Sequence, residues 1–191
     1  MNKIRISCAS LASIKIDGKY LLCLNKSALA KGMQLYTPFG GAIEYNESAL
    51  GFLNNLEVEF ERKTPDLRLK TDKSNLDLFE IWFSKKKDRE VGIERELIEE
   101  MVDEENIFNE LNKSDFTSTY FDTIKINQHR NEYDSYHFFE IYNVEFTKSK
   151  IKEIYRNILL KDKIALCTEQ EIINGEIDGK KISDHCKSIL I

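Results

Sequence analysis

Six consecutive residues, Arg95-Glu96-Leu97-Ile98-Glu99-Glu100, hold the densest chemistry in the chain. On a helix, Glu96, Glu99 and Glu100 stand at i, i+3 and i+4 and project from one face. Like charges at that spacing oppose the helix by a few tenths of a kcal/mol per pair, a cost removed when a hard dication such as Mg²⁺ binds through their oxygens. Arg95 can offset part of the repulsion by pairing with Glu99, or by reaching back to an acidic residue at the glycine-rich loop upstream. The plain alternative is a solvated acidic face, common in a chain with 33 Asp and Glu. The string Arg-Glu-apolar-x-Glu-Glu is more restrictive, arising by chance in on the order of one such chain in a few hundred.

Upstream lies Pro38-Phe39-Gly40-Gly41, a pair of glycines where backbone must turn or come close to something, followed six places later by Glu47. Lys26, Arg62, Arg68 and Lys70 are cations that could meet phosphates, although solvated surface cations are the commoner case. Tyr36, Phe39 and Trp82 could stack a base, with buried packing the better expectation for each. His129 and His137 have no partner nameable from sequence, and strand alternation leaves the direction of Glu140 open.

The elements that position these residues read as a mixture. Residues 3–16 carry apolar side chains at strand spacing, with an irregularity near Ser10, and Asp17-Gly18 suits a type I′ turn returning through 19–24. Residues 25–34 read as a loop, 49–56 as a short helix, 67–69 as a strand and 76–83 as an amphipathic helix. The acidic string sits in a predicted helix over 88–102, with Leu97, Ile98, Met101 and Val102 on its apolar stripe. Two long strands, 118–126 and 136–146, flank a polar loop at 127–134. Helices at 150–160, 169–173 and 183–190 and a strand at 163–167 close the chain. Strands and helices mix without a regular βαβ alternation, which favours an α+β fold with a mixed sheet flanked by helices.

Taken together, Gly41, Glu47 and the string from Arg95 to Glu100 resemble the signature of the Nudix superfamily. That signature runs Gly, five residues, Glu, seven residues, then Arg-Glu-apolar-x-Glu-Glu-x-Gly-apolar. Two features depart from it: 95 − 47 − 1 = 47 residues separate Glu47 from Arg95, and Val102 stands where a glycine is expected. The split box, Asp66-Leu67-Arg68 within the insert, Trp82-Phe83 before the helix, and the ending from Glu171-Ile172 to Ile182-Ser183 are similar to the SMODS-associated Nudix domains. The resemblance implies a Nudix-type α/β/α sandwich with an insertion at about 48–87. It implies a pyrophosphohydrolase in which Mg²⁺ or Mn²⁺, held by Glu96, Glu99 and Glu100, activates water against a diphosphate. Glu99 and Glu100 would be catalytic, Arg95 would orient the acidic cluster, and Glu47 would brace Arg95 or contribute a water-mediated ligand. Gly41 would allow close packing; outside the signature, Arg68 and Lys26 are the cations expected at the substrate on the reading of the residues alone. The resemblance also implies a nucleotide-derived ligand and a setting in bacterial antiphage defence. An inactive nucleotide sensor that keeps the pocket is the competing reading.

Composition bounds the rest. A chain of 191 residues with 41% hydrophobic residues is long enough for a single domain over 1–191. A formal charge of -5 lacks the basic excess of a duplex-binding module. The 4 cysteines form no Cys-x-x-Cys pair and read as reduced, buried thiols. No stretch approaches the ~18 apolar residues of a membrane helix, so a cytoplasmic protein is expected. A homodimer is left open.

Overall fold

The computed structural model describes residues 3–130, 133–161 and 163–191. In chain order the elements are β1 (Lys3–Ile16), β2 (Lys19–Leu24), α1 (Lys26–Leu29), β3 (Leu35–Thr37), β4 (Gly40–Ala42), α2 (Leu50–Asn55), β5 (Glu59–Phe60), β6 (Arg68–Asp72) and α3 (Leu76–Ser84). Then follow α4 (Glu94–Ile98), β7 (Phe116–Arg130), β8 (Tyr133–Phe146), α5 (Lys148–Lys161), β9 (Ile164–Cys167), α6 (Glu169–Asn174), β10 (Glu176–Ile177) and β11 (Lys180–Ile182). Among the described residues no helix is long and apolar enough to cross a membrane.

The chain gathers into two compact units. The first comprises residues 1–10, 41–92 and 123–140. In it the start of β1 pairs antiparallel with β6, Lys3 opposite Asp72 through Ser7 opposite Arg68, and β6 pairs with β5. Its core joins Ile4, Ile6 and Cys8 of β1 and Phe138 of β8 to Leu53, Leu67, Leu69, Phe79, Trp82 and Phe83. Trp82 stacks on Phe52 with ring centroids 5.3 Å apart.

The second unit comprises residues 11–40, 93–122 and 141–191. The β1–β2 hairpin turns at Asp17 and Gly18, both left-handed at φ 48° and 78°, as a type I′ turn requires. β2 pairs with β3 and β9, and β3 runs parallel to β11, so the sheet is mixed as expected. The β10–β11 hairpin turns on a second Asp-Gly pair, Asp178 and Gly179, φ 49° and 75°. Its strands are too short to register as periodicity, yet that dipeptide was a readable signal. In the core, Leu97, Met101 and Ile93 pack with Ile14, Cys23, Phe39 and Val144.

Several expectations are corrected. The stretch 25–34 is not wholly loop: Asn25 caps α1 by accepting a hydrogen bond from Ala28 N at 2.9 Å. The strand over residues 3–16 is as expected, and its irregularity near Ser10 is a loss of alternation, with continuous burial from Ser10 to Ile14. β7 and β8 are longer than read, taking in 127–130 and 133–134 of the expected loop, whose positions 131–132 lie outside the described residues. The helix expected over 88–102 begins only at Glu94. Residues 88–90 are tied to the strand side of the glycine loop, and Gly92 at φ 112° cannot continue a helix backwards.

Candidate functional site

The insertion explains its own length. Asn46 N donates to Asp88 O at 2.9 Å, Glu90 N to Glu44 O at 2.8 Å, and Ser48 Oγ to Asp88 Oδ1 at 2.8 Å, while Tyr45 bridges Arg89. The chain therefore leaves and returns at adjoining positions. Removing 48–87, a stretch of 40 residues, leaves 47 − 40 = 7 between Glu47 and Arg95, the spacing of the unsplit signature. The return is anchored by Arg89, whose guanidinium lies 2.7 Å from Glu140, 3.9 Å from the Phe83 ring centroid and 2.8 Å from Phe83 O. Glu140 is 1% exposed and also meets Lys86 at 3.6 Å, so it serves this ion pair in the first unit. Burial pushes the neighbouring Cys8 thiol up, opposed by Arg89 and aided by Glu140.

The acidic helix belongs to the second unit. Ile93 and Leu97 are buried on one side, and Glu94 at the first turn accepts from Ser118 Oγ at 2.5 Å. Arg95 pairs with Glu99 at 3.0 Å, as the sequence suggested it could, and also with Glu96 at 2.8 Å, a contact not expected. Glu100 turns the other way. Its Oε2 accepts the backbone N–H of Gly40 at 2.7 Å, so the glycine that meets this helix is the first of the pair. Gly40 sits at φ 133°, a conformation that a side chain would strain.

Burial crowds the Glu100 carboxyl, and Glu96, Glu104 and Glu105 add like charge, pushing its pKa up to about 8 against the pull of the Gly40 amide. Glu96 is 8% exposed. Of the three predicted ligands, then, Glu96 and Glu100 share one electrostatic neighbourhood, whereas Glu99 is more exposed and lies on Arg95. Below them Cys23 is buried and its thiol is pushed well up, chiefly by burial and next by Glu100, so it stays protonated.

Two residues that the sequence reading missed complete this neighbourhood, Glu104 and Glu105, together with the cation Lys163. Lys26 reaches Glu104 at 3.2 Å and Glu105 at 3.5 Å, and Lys163 reaches Glu105 at 3.4 Å. Partial burial works against the Lys26 ammonium, but the two glutamates outweigh it and hold its pKa above the usual range. A cavity of about 310 Å³ opens beside the helix start, lined by Glu94, Lys113, Phe116, Thr117 and Ser118.

The donor chemistry suits a hard dication: carboxylate oxygens only, one of them holding a proton that a cation would displace. Among the described residues, however, no three His, Cys, Asp or Glu side chains are drawn together closely enough to grip an ion as they stand. Arg95, Lys26 and Lys163 occupy carboxylates instead.

Most of the remaining predicted residues lie in the first unit. Gly41 belongs to β4, Glu47 is exposed at the start of a single 3₁₀ turn, and Arg68 is half-buried at the start of β6. Arg62 pairs with Asp66 at 3.5 Å, and Lys70 covers the Tyr133 ring at 4.6 Å. His129 pairs with Asp134 at 2.8 Å, and His137 is buried. Tyr36 and Phe39 in the second unit, and Trp82 in the first, are buried in packing.

A mixed, mostly antiparallel sheet with helices, a glycine loop whose amide meets a helix of glutamates, and a split signature around them define a Nudix-type α+β fold. The chain belongs to the SMODS-associated NUDIX domain family, whose model matches residues 3–190. No curated protein and no solved structure matches it.

Proposed function

We propose that the protein is a metal-dependent hydrolase of a diphosphate linkage in a nucleotide derivative, using Mg²⁺ or Mn²⁺. The observation that carries this reading is the Gly40 amide on Glu100 within the field of Glu96, Glu104 and Glu105. Backbone contact fixes one carboxylate while its neighbours disfavour its ionisation, an arrangement that a dication relieves. Glu96, Glu99 and Glu100 are the residues that would hold the ion, and bound there it would neutralise phosphate charge and lower the pKa of a water nucleophile. Arg95 orients Glu96 and Glu99. Lys26 and Arg68 are the proposed phosphate partners, and Gly41 and Glu47 the rest of the signature's loop. A nucleotide ligand and a cytoplasmic role in antiphage defence belong to the same proposal, and membership of the family supports the nucleotide-derived ligand.

Thermal melting with Mg²⁺ or Mn²⁺ and a panel of dinucleotides, nucleotide sugars, nucleoside triphosphates and cyclic oligonucleotides tests this, with products followed by chromatography. Metal-dependent stabilisation with product is expected. Stabilisation without product would instead support a sensor. That second reading is favoured by one observation, the carboxylates paired to the chain's own cations rather than gathered round a point.

A further inference from the structure

The end of the acidic helix is where this chain leaves the family signature, and the departure has a structural result. A glycine two places after the last glutamate would let the backbone exit left-handed; here Val102 stands there and stays helical. The turn from Glu99 to Glu104 widens to i→i+5 spacing, with Glu105 N donating to Glu100 O at 2.8 Å. The left-handed exit falls to Asn106, φ 53°, 106 − 102 = 4 residues later. Wide turns of this kind are rare and are frequently found at functional sites.

The widening changes which side chains share a face. In an α-helix, residue i+5 lies about 140° round the axis from residue i. With the wide turn, Glu105 joins the side of Glu100, and both carboxylates act on the same buried thiol of Cys23. Glu105 is 6% exposed and carries two ammonium groups, Lys26 at 3.5 Å from Oε1 and Lys163 at 3.4 Å from Oε2. Paired strands deliver both: Leu24 N donates to Lys163 O at 2.8 Å, which sets Lys163 beside the end of β2, and Lys26 follows two residues on. A buried carboxylate demands positive charge, and this one has it on both oxygens.

Resting on the hydrolase reading, we infer that Glu105 is a further carboxylate of the divalent-cation site, and that Lys26 and Lys163 are the counter-ions holding it when no divalent ion is bound. Loading exchanges ammonium for the dication at Glu105 and frees two lysines to pair with phosphate oxygens of the substrate. The absence of a gathered ligand set among the described residues then follows, because the chain's own cations hold the carboxylates until the exchange.

Direct Mn²⁺ binding, read without nucleotide from the loss of the free-ion electron paramagnetic resonance signal, tests the inference. Glu105→Gln should weaken Mn²⁺ about tenfold, as loss of a ligand or its close support does. Lys26→Met and Lys163→Met should each tighten it roughly threefold by removing a competitor. Lys187→Met, an equal charge change in the same unit at a lysine paired with Asp184, should leave it unchanged. A Glu105→Gln affinity within about twofold of wild type overturns the inference and leaves the hydrolase reading standing. Wild-type protein that takes up no Mn²⁺ overturns both. If Glu105→Gln does not fold, the lysine variants decide: tightening upholds the exchange, and unchanged affinity, or equal tightening by Lys187→Met, overturns it.

Discussion

At the scale of single residues, Glu100 ties the chemistry of the site to the stability of the chain. Its carboxyl is pushed up to about 8 in the fold from an ordinary 4.5. Below the lower value both folded and unfolded chains hold the proton. Between the two values only the folded chain does, so ionisation favours the unfolded chain and stability falls as pH rises through this window, then levels off. Metal-free protein should therefore lose on the order of a few kcal/mol of folding stability between mildly acid and mildly alkaline pH. Glu100→Gln, which cannot ionise, should lack most of that slope in denaturant melts taken across the range; an unchanged slope would show that Glu100 is ordinary in the fold. Mn²⁺ affinity should climb about tenfold per pH unit up to the same point, since ligation must displace the proton.

A second residue-scale prediction concerns Arg89 and Glu140. With side chains 0% and 1% exposed, neither can be left alone. Glu140→Ala strands a buried guanidinium and should cost about 3–5 kcal/mol in a urea titration. A loss below about 1 kcal/mol, the range of surface pairs, would mean that water reaches Arg89 in the folded protein.

At the scale of elements, the insertion is less a flap than a core. Leu53, Leu67, Phe79, Trp82 and Phe83, all from 48–87, pack on Ile4, Ile6 and Cys8. Deleting 48–87 restores the signature's spacing, and the hydrogen bonds from Asn46 N to Asp88 O and from Glu90 N to Glu44 O show that the ends already adjoin. The deletion variant should nonetheless expose that apolar patch of β1, bind a hydrophobic dye and aggregate in size-exclusion chromatography. A monodisperse, dye-silent product would show the insertion to be a detachable loop.

The same scale shows what the sequence could and could not disclose. The β1–β2 hairpin was legible because Asp17-Gly18 names its own turn type. The glutamates were legible because their spacing is local. The late start of α4 was not, because it is set by pairing of residues 88–90 with 44–46, a contact made across the insertion. The place of Glu105 was hidden for a different reason: α-helical spacing carries it off the acidic face, and only the wide turn brings it back. Lys163 was a plain cation at the first position of an expected strand until β9 was paired with β2. Local chemistry can be read along the chain, whereas partners supplied by distant strands cannot.

At the scale of the whole molecule, neither compact unit is a contiguous piece of chain. The chain passes from one to the other five times, at residues 10, 40, 92, 122 and 140, and three of these crossings, at 10, 122 and 140, fall within the long strands β1, β7 and β8, which contribute residues to both. A fragment such as 41–92 lacks Ile4, Ile6, Cys8 and Phe138 of its own core, so neither unit can be severed without losing strands. Unfolding should accordingly be one cooperative transition rather than two. The single tryptophan, Trp82, reports on the first unit, while the candidate metal residues Glu96, Glu99 and Glu100 lie in the second. If strands β1, β7 and β8 make folding all-or-none, Mn²⁺ at a hundredfold excess over its dissociation constant should raise the stability read by Trp82 fluorescence by about 2.7 kcal/mol. Far-UV circular dichroism should give the same midpoint. A fluorescence transition that ignores Mn²⁺ while the circular dichroism transition shifts would mean that the first unit melts on its own. Cation binding would then stabilise only the unit that carries the carboxylates.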